Sequence, residues 1–227
     1  YHSVALEIRI QGSINYCFRS LYMEMRQADL VDFFGQAFRY ASIAQEERNR
    51  FVWLEGKTAA ILLAVVRREG QWQIVLTRRA DTLRHHTGQI AFAGGRSDEG
   101  DKDFIVTALR ETEEETGIAP HFWQVFPPLP PYYTPSGYEV HPVLALCPEN
   151  PPTCVNSGEV AEIFYLPLDF ALDMDNYGSR SFIYESNMIA TPVLPYLHYD
   201  IWGLTALILY GLAERYQYYC AGRKGIK

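Results

Sequence analysis

Residues 110–118 read Arg110-Glu111-Thr112-Glu113-Glu114-Glu115-Thr116-Gly117-Ile118, a dense run of carboxylates that ends in a glycine. At 100° per residue, Glu111, Glu114 and Glu115 fall within one arc of about 100° on a helix, whereas Glu113 points elsewhere. Like charges at these spacings repel each other, and carboxylates are disfavoured near a helix C-terminus. The arrangement therefore predicts a compensating cation beside three of the four glutamates.

The flanking residues predict where this helix begins and ends. Asp101 or Asp103 can cap its N-terminus, and Gly117 suits the position just past its C-terminus. The predicted buried face consists of Ile105, Ala108, Leu109 and Thr112. These signals agree on one amphipathic helix whose carboxylate face is turned away from the core.

The chemistry of the carboxylate face favours a hard divalent metal. An all-oxygen ligand set selects Mg²⁺ or Mn²⁺ rather than zinc, so Glu111, Glu114 and Glu115 are the predicted ligands. Gly95 lies in the loop before the helix, where the lack of a side chain lets its backbone approach a metal or phosphate closely. Arg110 is predicted to hold the Glu114 carboxylate four residues on. The alternative is an ordinary solvated helix surface, which is what most glutamate-rich runs form.

Composition limits the classes of function. The 227 residues carry 27 acidic and 20 basic side chains, a net charge of -7 that argues against binding polymeric nucleic acid through its phosphates. The four scattered cysteines form no metal-ligand spacing and favour a reduced, cytoplasmic setting. No signal peptide is recognisable, although the first residue is Tyr1, and the longest apolar run, near 201–212, is too short to span a membrane.

The remaining patterns predict a layered α/β or α+β domain. Residues 1–57 are expected to form an N-terminal extension, helical over 28–50, and residues 58–227 a single domain that closes with a C-terminal helix. Strands are predicted at Ala59–Val66, Trp72–Thr77, Tyr138–Leu146 and Ile163–Leu166. Between the second strand and the carboxylate helix lies the most basic stretch of the chain, residues 78–89.

The stretch from Gly95 to Ile118 resembles the Nudix box, Gly-x5-Glu-x7-Arg-Glu-U-x-Glu-Glu-x-Gly-U, where U is apolar. The second half matches closely, whereas Asp101 stands for the first glutamate and eight residues rather than seven separate it from Arg110. This opening is similar to that of the coenzyme A pyrophosphatase branch, in which Gly-Gly-x-x-Asp-x-x-Asp and Thr-Ala-Leu-Arg-Glu recur. The resemblance implies a Nudix-type α/β/α sandwich with a mixed β-sheet.

An upstream segment also resembles that branch, whose pattern is Leu-Leu-Thr-x-Arg-Ser-x3-Arg-x3-Gly-x3-Phe-Pro-Gly-Gly. The chain departs from it at Ala80, which replaces serine, and at Ala93, which replaces proline. The resemblance implies that substrate phosphates are bound by Arg78, Arg79, Arg84 and Gly94. It also implies that Glu159 is a further ligand or base, with a plain surface-loop glutamate as the alternative.

By resemblance, the chain is expected to be a Mg²⁺- or Mn²⁺-dependent pyrophosphohydrolase that uses Glu111, Glu114, Glu115, Arg110 and Glu159. The resemblance implies that Glu114 and Glu115 bind the metal, that Glu111 is either a ligand or the base that orients water, and that Arg110 holds a carboxylate. The expected reaction cleaves the diphosphate of coenzyme A or acyl-coenzyme A to 3′,5′-ADP and 4′-phosphopantetheine or its acyl derivative. Two alternatives stay open: another nucleoside diphosphate derivative as substrate, or a nucleotide-binding module without turnover. The expected partner is a small nucleotide, with neither nucleic acid polymer nor membrane, and a homodimer is left open.

Overall fold

The structure, a computed structural model, describes residues 25–49, 56–80, 88–184 and 187–224. The strands are β1 (Lys57–Arg68), β2 (Gln71–Arg79), β3 (Ile90–Ala91), β4 (Gly94–Arg96), β5 (Gln124–Val125), β6 (Tyr132–Tyr133), β7 (Tyr138–Cys147), β8 (Val160–Pro167), β9 (Gly178–Tyr184), β10 (Asn187–Tyr196) and β11 (Tyr199–Ile201). The α-helices are α1 (Gln27–Gln36), α2 (Ile43–Asn49), α3 (Phe104–Thr116), α4 (Leu168–Leu172) and α5 (Gly203–Lys224).

The first two strands form the hairpin that the sequence predicts. Glu69 and Gly70 join β1 to β2, and both have positive φ angles, 53° and 81°. This conformation is typical of a two-residue turn whose twist matches that of antiparallel strands. The two strands pair from Arg68 opposite Gln71 to Val65 opposite Ile74.

The main sheet is mixed, as expected. Strand β1 runs parallel to β7, from Lys57 opposite Tyr138 to Val66 opposite Cys147, and antiparallel to β2. The principal strand order is β3-β2-β1-β7-β5, while β4 pairs with β1, β6 with β7 and β8 with β2. Strands β9, β10 and β11 form a separate antiparallel sheet.

Alternate residues of β1 are buried in two hydrophobic cores, one on each face of the sheet. Leu62 and its same-face neighbours pack with Ala108 of α3, whereas Leu63 and Val65 pack with α1 and α5. Successive side chains of a strand point to opposite faces, so a strand buried on both sides is apolar throughout. The result is the expected three-layer α/β/α sandwich.

The N-terminal helices are part of the second core. The single helical segment expected over 28–50 consists of two helices, α1 and α2, joined by a short 3-10 turn. Phe33 and Phe34 are fully buried, and the Ser42 hydroxyl donates to Glu214 of α5 at 2.7 Å. The boundary at residue 57 stays a prediction, and residues 1–24 lie outside the described part of the chain.

The C-terminal helix is longer than the apolar run that predicted it. Helix α5 spans Gly203–Lys224, because its apolar face continues past Leu212 to Tyr219. Within the stretches that the structure describes, none of the helices is both long and apolar enough to cross a bilayer.

Candidate active site

The carboxylate helix α3 has the caps that the sequence predicts. The side chain of Asp103, rather than that of Asp101, accepts a hydrogen bond from the Val106 N–H at 2.9 Å. Gly117 adopts a left-handed conformation, φ 73°, and its N–H donates to the Glu113 carbonyl at 2.8 Å. Thr112 is tolerated on the buried face because its hydroxyl donates to the Ala108 carbonyl at 2.7 Å.

A loop from the other side of the sheet docks on the last turn of α3. The Cys154 N–H donates to the Thr116 carbonyl at 2.8 Å, and the Asn156 N–H donates to the Glu115 carbonyl at 3.1 Å. Both contacts satisfy carbonyls that a helix C-terminus leaves without partners. Since the Glu159 N–H is in turn bonded to the Asn156 carbonyl, at 3.0 Å, the docked loop delivers Glu159 to the carboxylate face.

Glu115 lies at the centre of this face. Its side chain is buried, with a residue exposure of 5%, and desolvation raises its pKa to about 8. Arg79 opposes that rise, while the charges of Glu111 and Glu159 add to it. The Gly94 N–H donates a hydrogen bond to the same carboxylate. Glu115 therefore sits where an anion is costly unless a cation joins it.

Glu111 packs directly on the backbone of Gly95. A Cβ atom added to Gly95 would lie 2.4 Å from the carboxyl carbon of Glu111, so any side chain here would displace the Glu111 carboxylate. Burial raises the pKa of Glu111, and Arg110 partly offsets the effect. The predicted metal-contacting glycine thus lies against one of the predicted ligands.

Arg110 connects the helix to the preceding loop. Its Nη1 atom donates to Glu111 at 2.8 Å and more weakly to Glu114 at 3.4 Å. Its Nε and Nη2 atoms donate to Asp101 at 3.2 and 3.0 Å. The expected pairing with Glu114 is present, but the shorter contacts go to Asp101 and Glu111.

Asp101 is the residue whose role the sequence left least defined. Arg110, the Asp98 N–H and the Thr107 hydroxyl all donate to its carboxylate, and together they hold the pKa of Asp101 well below its usual range. The extra residue between Asp101 and Arg110 therefore does not prevent their pairing. The sequence signal for this role was the position of Asp101 in the motif, because residue spacing alone does not give the path of the loop.

The predicted phosphate-binding residues do not all face the carboxylates. Arg79 acts on Glu115, and its buried Nε atom has no hydrogen-bond partner, whereas Arg78 forms an ion pair with Glu162 at 2.9 Å. Gly94 is fixed by packing, because a Cβ atom there would lie 2.4 Å from the Ala60 carbonyl oxygen. Arg84 lies outside the described residues.

The site therefore gathers Glu111, Glu115 and Glu159, with Glu114 exposed at its edge and Glu113 exposed away from it. Across the described stretches, acidic, histidine and cysteine side chains form no ready-made group of three around one point. Glu111 and Glu114 are instead paired with Arg110. The arrangement is a set of carboxylate oxygens linked by one arginine, which suits a hard cation.

A cleft of about 470 Å³ lies at the end of β2 and was not anticipated from the sequence. Arg78 and Glu162 contribute to it from the main sheet, and His198, Tyr199 and Trp202 contribute from the segment around β11.

A family model and two curated relatives place this chain in the same family. Residues 56–185 match the family model of the NUDIX domain. An uncharacterized Nudix hydrolase, NudL, of Yersinia pestis (strain Pestoides F) is 41% identical over 159 residues, which cover 70% of this chain and 79% of the relative. NudL of Yersinia pseudotuberculosis serotype O:1b (strain IP 31758) matches to the same extent.

Solved structures also resemble the fold. A C. elegans Ap4A hydrolase binary complex aligns with a TM-score of 0.46 and 18% identity, over 73% of this chain and 98% of that chain. The NUDIX domain of Shewanella oneidensis NrtR, crystallised with ADP ribose, aligns with a TM-score of 0.43 and 17% identity, over 65% and 87% of the two chains.

Proposed function

Because the chain belongs to the Nudix hydrolase family and is a pyrophosphatase acting on phosphoric anhydrides, we propose that its substrate is coenzyme A or an acyl-coenzyme A. The proposed reaction hydrolyses the diphosphate and releases 3′,5′-ADP and 4′-phosphopantetheine or its acyl derivative. The supporting observation is the buried Glu115 carboxylate, which lies among Glu111, Glu159 and the Gly94–Gly95 backbone.

A divalent metal fits this site on the chemistry of its donors. The oxygen ligands match the preference of Mg²⁺ or Mn²⁺, and burial raises the pKa values of Glu111 and Glu115 despite the nearby Arg110 and Arg79, so a further cation would favour their ionised forms. We propose that Glu111, Glu114 and Glu115 hold the metal, with the Gly95 backbone close by. A bound Mg²⁺ lowers the pKa of water and offsets charge on phosphoryl oxygens.

The other residues have roles that follow from their contacts. Arg110 orients Glu111 by a short ion pair and is itself fixed by Asp101. Arg79 lies close enough to Glu115 to lower its pKa, and its guanidinium is proposed to bind a substrate phosphate there. Glu159 has an exposed carboxylate beside the cluster and either accepts the proton of the attacking water or adds a ligand.

The upstream pattern supports coenzyme A as the substrate. Arg79 and Gly94 match that pattern and adjoin the carboxylates, whereas Ala93 departs from it. The Ala93 carbonyl, which a proline would also offer, accepts a hydrogen bond from the Leu62 N–H at 2.9 Å. The loop before the glycines is thereby tied to β1. We also propose a cytoplasmic setting, since Cys147, Cys154 and Cys220 are free thiols.

A substrate panel with Mg²⁺ tests the proposal. Coenzyme A, acetyl-coenzyme A, an ADP-sugar and a dinucleotide are incubated at equal concentrations, and products are separated by mass. We expect coenzyme A derivatives to have the highest kcat/KM. If an ADP-sugar or dinucleotide is cleaved while coenzyme A stays intact, the substrate assignment is wrong but the Nudix chemistry stands.

Two variants of the same helix distinguish an enzyme from a binding module. Replacing Glu115 by Gln removes a central carboxylate, while replacing Glu113 by Gln changes an exposed one that the site does not use. We expect E115Q to lose at least about 100-fold in kcat and E113Q to keep wild-type turnover. Equal turnover of both variants would contradict the catalytic role of the cluster.

A further inference from the structure

The cleft at the end of β2 lies next to the carboxylate site along the chain. Arg78 lines the cleft, and the following residue, Arg79, acts on Glu115. Glu162 of the paired strand β8 lines the cleft, whereas Glu159, in the turn just before β8, belongs to the carboxylate site. Successive residues of a strand point to opposite faces, so the two sites lie on either side of the same strand end.

A β-bulge lies at the strand end between the cleft and the carboxylate site. The register of β2 with β8 shifts between Arg78, which lies opposite Glu162, and Arg79, which lies opposite Val160. Bulges bend a strand and redirect its side chains, and they are enriched beside active sites. One extended substrate passing around this strand end can therefore contact both the cleft and the carboxylates.

The cleft is unsuited to phosphate. Its lining has one guanidinium, that of Arg78, against the two carboxylates of Glu162 and Asp200. These charges are also paired: Arg78 with Glu162 at 2.9 Å, and Asp200 with Arg180 at 2.7 Å. The Tyr199 hydroxyl adds a hydrogen bond to Glu162. Because each carboxylate of the lining is paired with an arginine, the cleft offers an anionic group no excess positive charge.

The cleft is instead suited to a planar ring. Trp202 lines it with 42% of its surface exposed, whereas Trp72 and Trp123 are 6% and 8% exposed in the two cores. Tyr199 is held in place by stacking on Phe164, with ring centroids 3.9 Å apart and planes 12° apart. His198 also contacts the Tyr199 ring, with centroids 4.0 Å apart, so the free aromatic surface of the cleft belongs to Trp202. The Arg180 guanidinium lies 5.9 Å from the Trp202 ring centroid, and a base can stack on the part of the ring that stays exposed.

We propose that this cleft binds the aromatic base of the nucleotide substrate, with Trp202 as the stacking residue, while the diphosphate lies at the Glu111–Glu115 carboxylates. The inference rests on the proposed function, because it takes the two sites as parts of one substrate path. For coenzyme A, the adenine ring occupies the cleft, and the pantetheine arm leaves the carboxylates in another direction.

Fluorescence quenching tests the inference without turnover, using the two expected products as separate probes. The full chain in EDTA is titrated with 3′,5′-ADP, which carries the base, and with 4′-phosphopantetheine, which does not. We expect 3′,5′-ADP alone to quench tryptophan emission. The variant W202F, which keeps a ring, should bind 3′,5′-ADP without that quenching and so controls for the three other tryptophans of the chain.

The truncated variant W202A measures the contribution of stacking. Calorimetric affinity for 3′,5′-ADP should fall about 10-fold to 100-fold in W202A and much less in W202F. With coenzyme A and Mg²⁺, KM should rise by a similar factor while kcat stays within about twofold. Because the Trp202 side chain is exposed, we expect both variants to unfold near the wild-type temperature.

Three outcomes would overturn the inference. The first is quenching by 4′-phosphopantetheine but not by 3′,5′-ADP. The second is a W202A affinity for 3′,5′-ADP equal to that of the wild type. The third is a loss of kcat in W202A without a change in KM. Failure of the proposed function is distinguishable from these results. In that case coenzyme A would stay intact with Mg²⁺, whereas 3′,5′-ADP would still quench Trp202.

Discussion

Replacing Glu115 by Gln should make the metal-free protein more stable at neutral pH. The Glu115 carboxyl is buried and its pKa is raised to about 8, against an ordinary glutamate value of 4.5. Between these values the folded protein holds a proton that the unfolded chain releases. The contribution of the protonated Glu115 carboxyl to the free energy of unfolding is therefore fully present below pH 4.5 and is lost as pH rises toward 8.

The magnitude follows from the two pKa values. Relative to acidic pH, the wild-type protein should lose about 1 kcal/mol of unfolding free energy at pH 5 and about 3 kcal/mol at pH 7. E115Q lacks this ionisation, and its amide oxygen can still accept from the Gly94 N–H. The stability of E115Q relative to wild type should thus rise by about 2 kcal/mol from pH 5 to pH 7.

Urea unfolding in EDTA at pH 5 and pH 7 measures this difference, with E113Q as the matched control from the same helix. Glu111, whose pKa is also raised by burial, remains in both proteins, so its contribution largely cancels in the comparison. Saturating Mg²⁺ should nearly abolish the difference at pH 7, because binding at about 100 times Kd adds about 2.7 kcal/mol to the wild type and much less to E115Q. If wild type and E115Q lose stability in parallel between pH 5 and pH 7 in EDTA, the reasoning about Glu115 is wrong.

Three further variants test the surrounding geometry. G95A should reduce kcat by about 100-fold with little change in melting temperature, since its methyl group displaces only the Glu111 carboxylate; wild-type activity would show that this contact is dispensable. G94A should instead destabilise the fold by about 3 kcal/mol in urea unfolding, because its methyl group meets the backbone of β1, and a wild-type midpoint would contradict that packing. D101N should remove stability that the wild type has in full at neutral pH and loses progressively as pH falls below the ordinary aspartate pKa of 3.8; acid unfolding curves that coincide would contradict the Arg110 pairing.

Local sequence patterns predicted the helices and strands better than they predicted which of these elements pack together. The helix carrying Glu111 and Glu115 was defined by a cap at Asp103 and a stop at Gly117, which are local signals. The hairpin of β1 and β2 was equally local. By contrast, the sheet formed by β9, β10 and β11 was not predicted, since Pro192 and Pro195 interrupt the strand pattern of β10.

The site shows the same division between local and distant information. Helical spacing placed Glu111 and Glu115 on one face, but it could not give the burial that raises the pKa of Glu115, which depends on strands and loops from elsewhere in the chain. Glu159 came from resemblance alone, and its approach depends on the docked loop at Asn156. Trp202 lies more than 100 residues beyond Arg78, so its place in the same cleft required the tertiary structure.

The most direct test of the central claim is product analysis of coenzyme A incubated with the protein and Mg²⁺, followed by mass spectrometry and ³¹P NMR. We predict 3′,5′-ADP and 4′-phosphopantetheine in equal amounts, with no cleavage in EDTA and none by E115Q. Coenzyme A with its diphosphate intact, or equal cleavage by E115Q, would contradict the account.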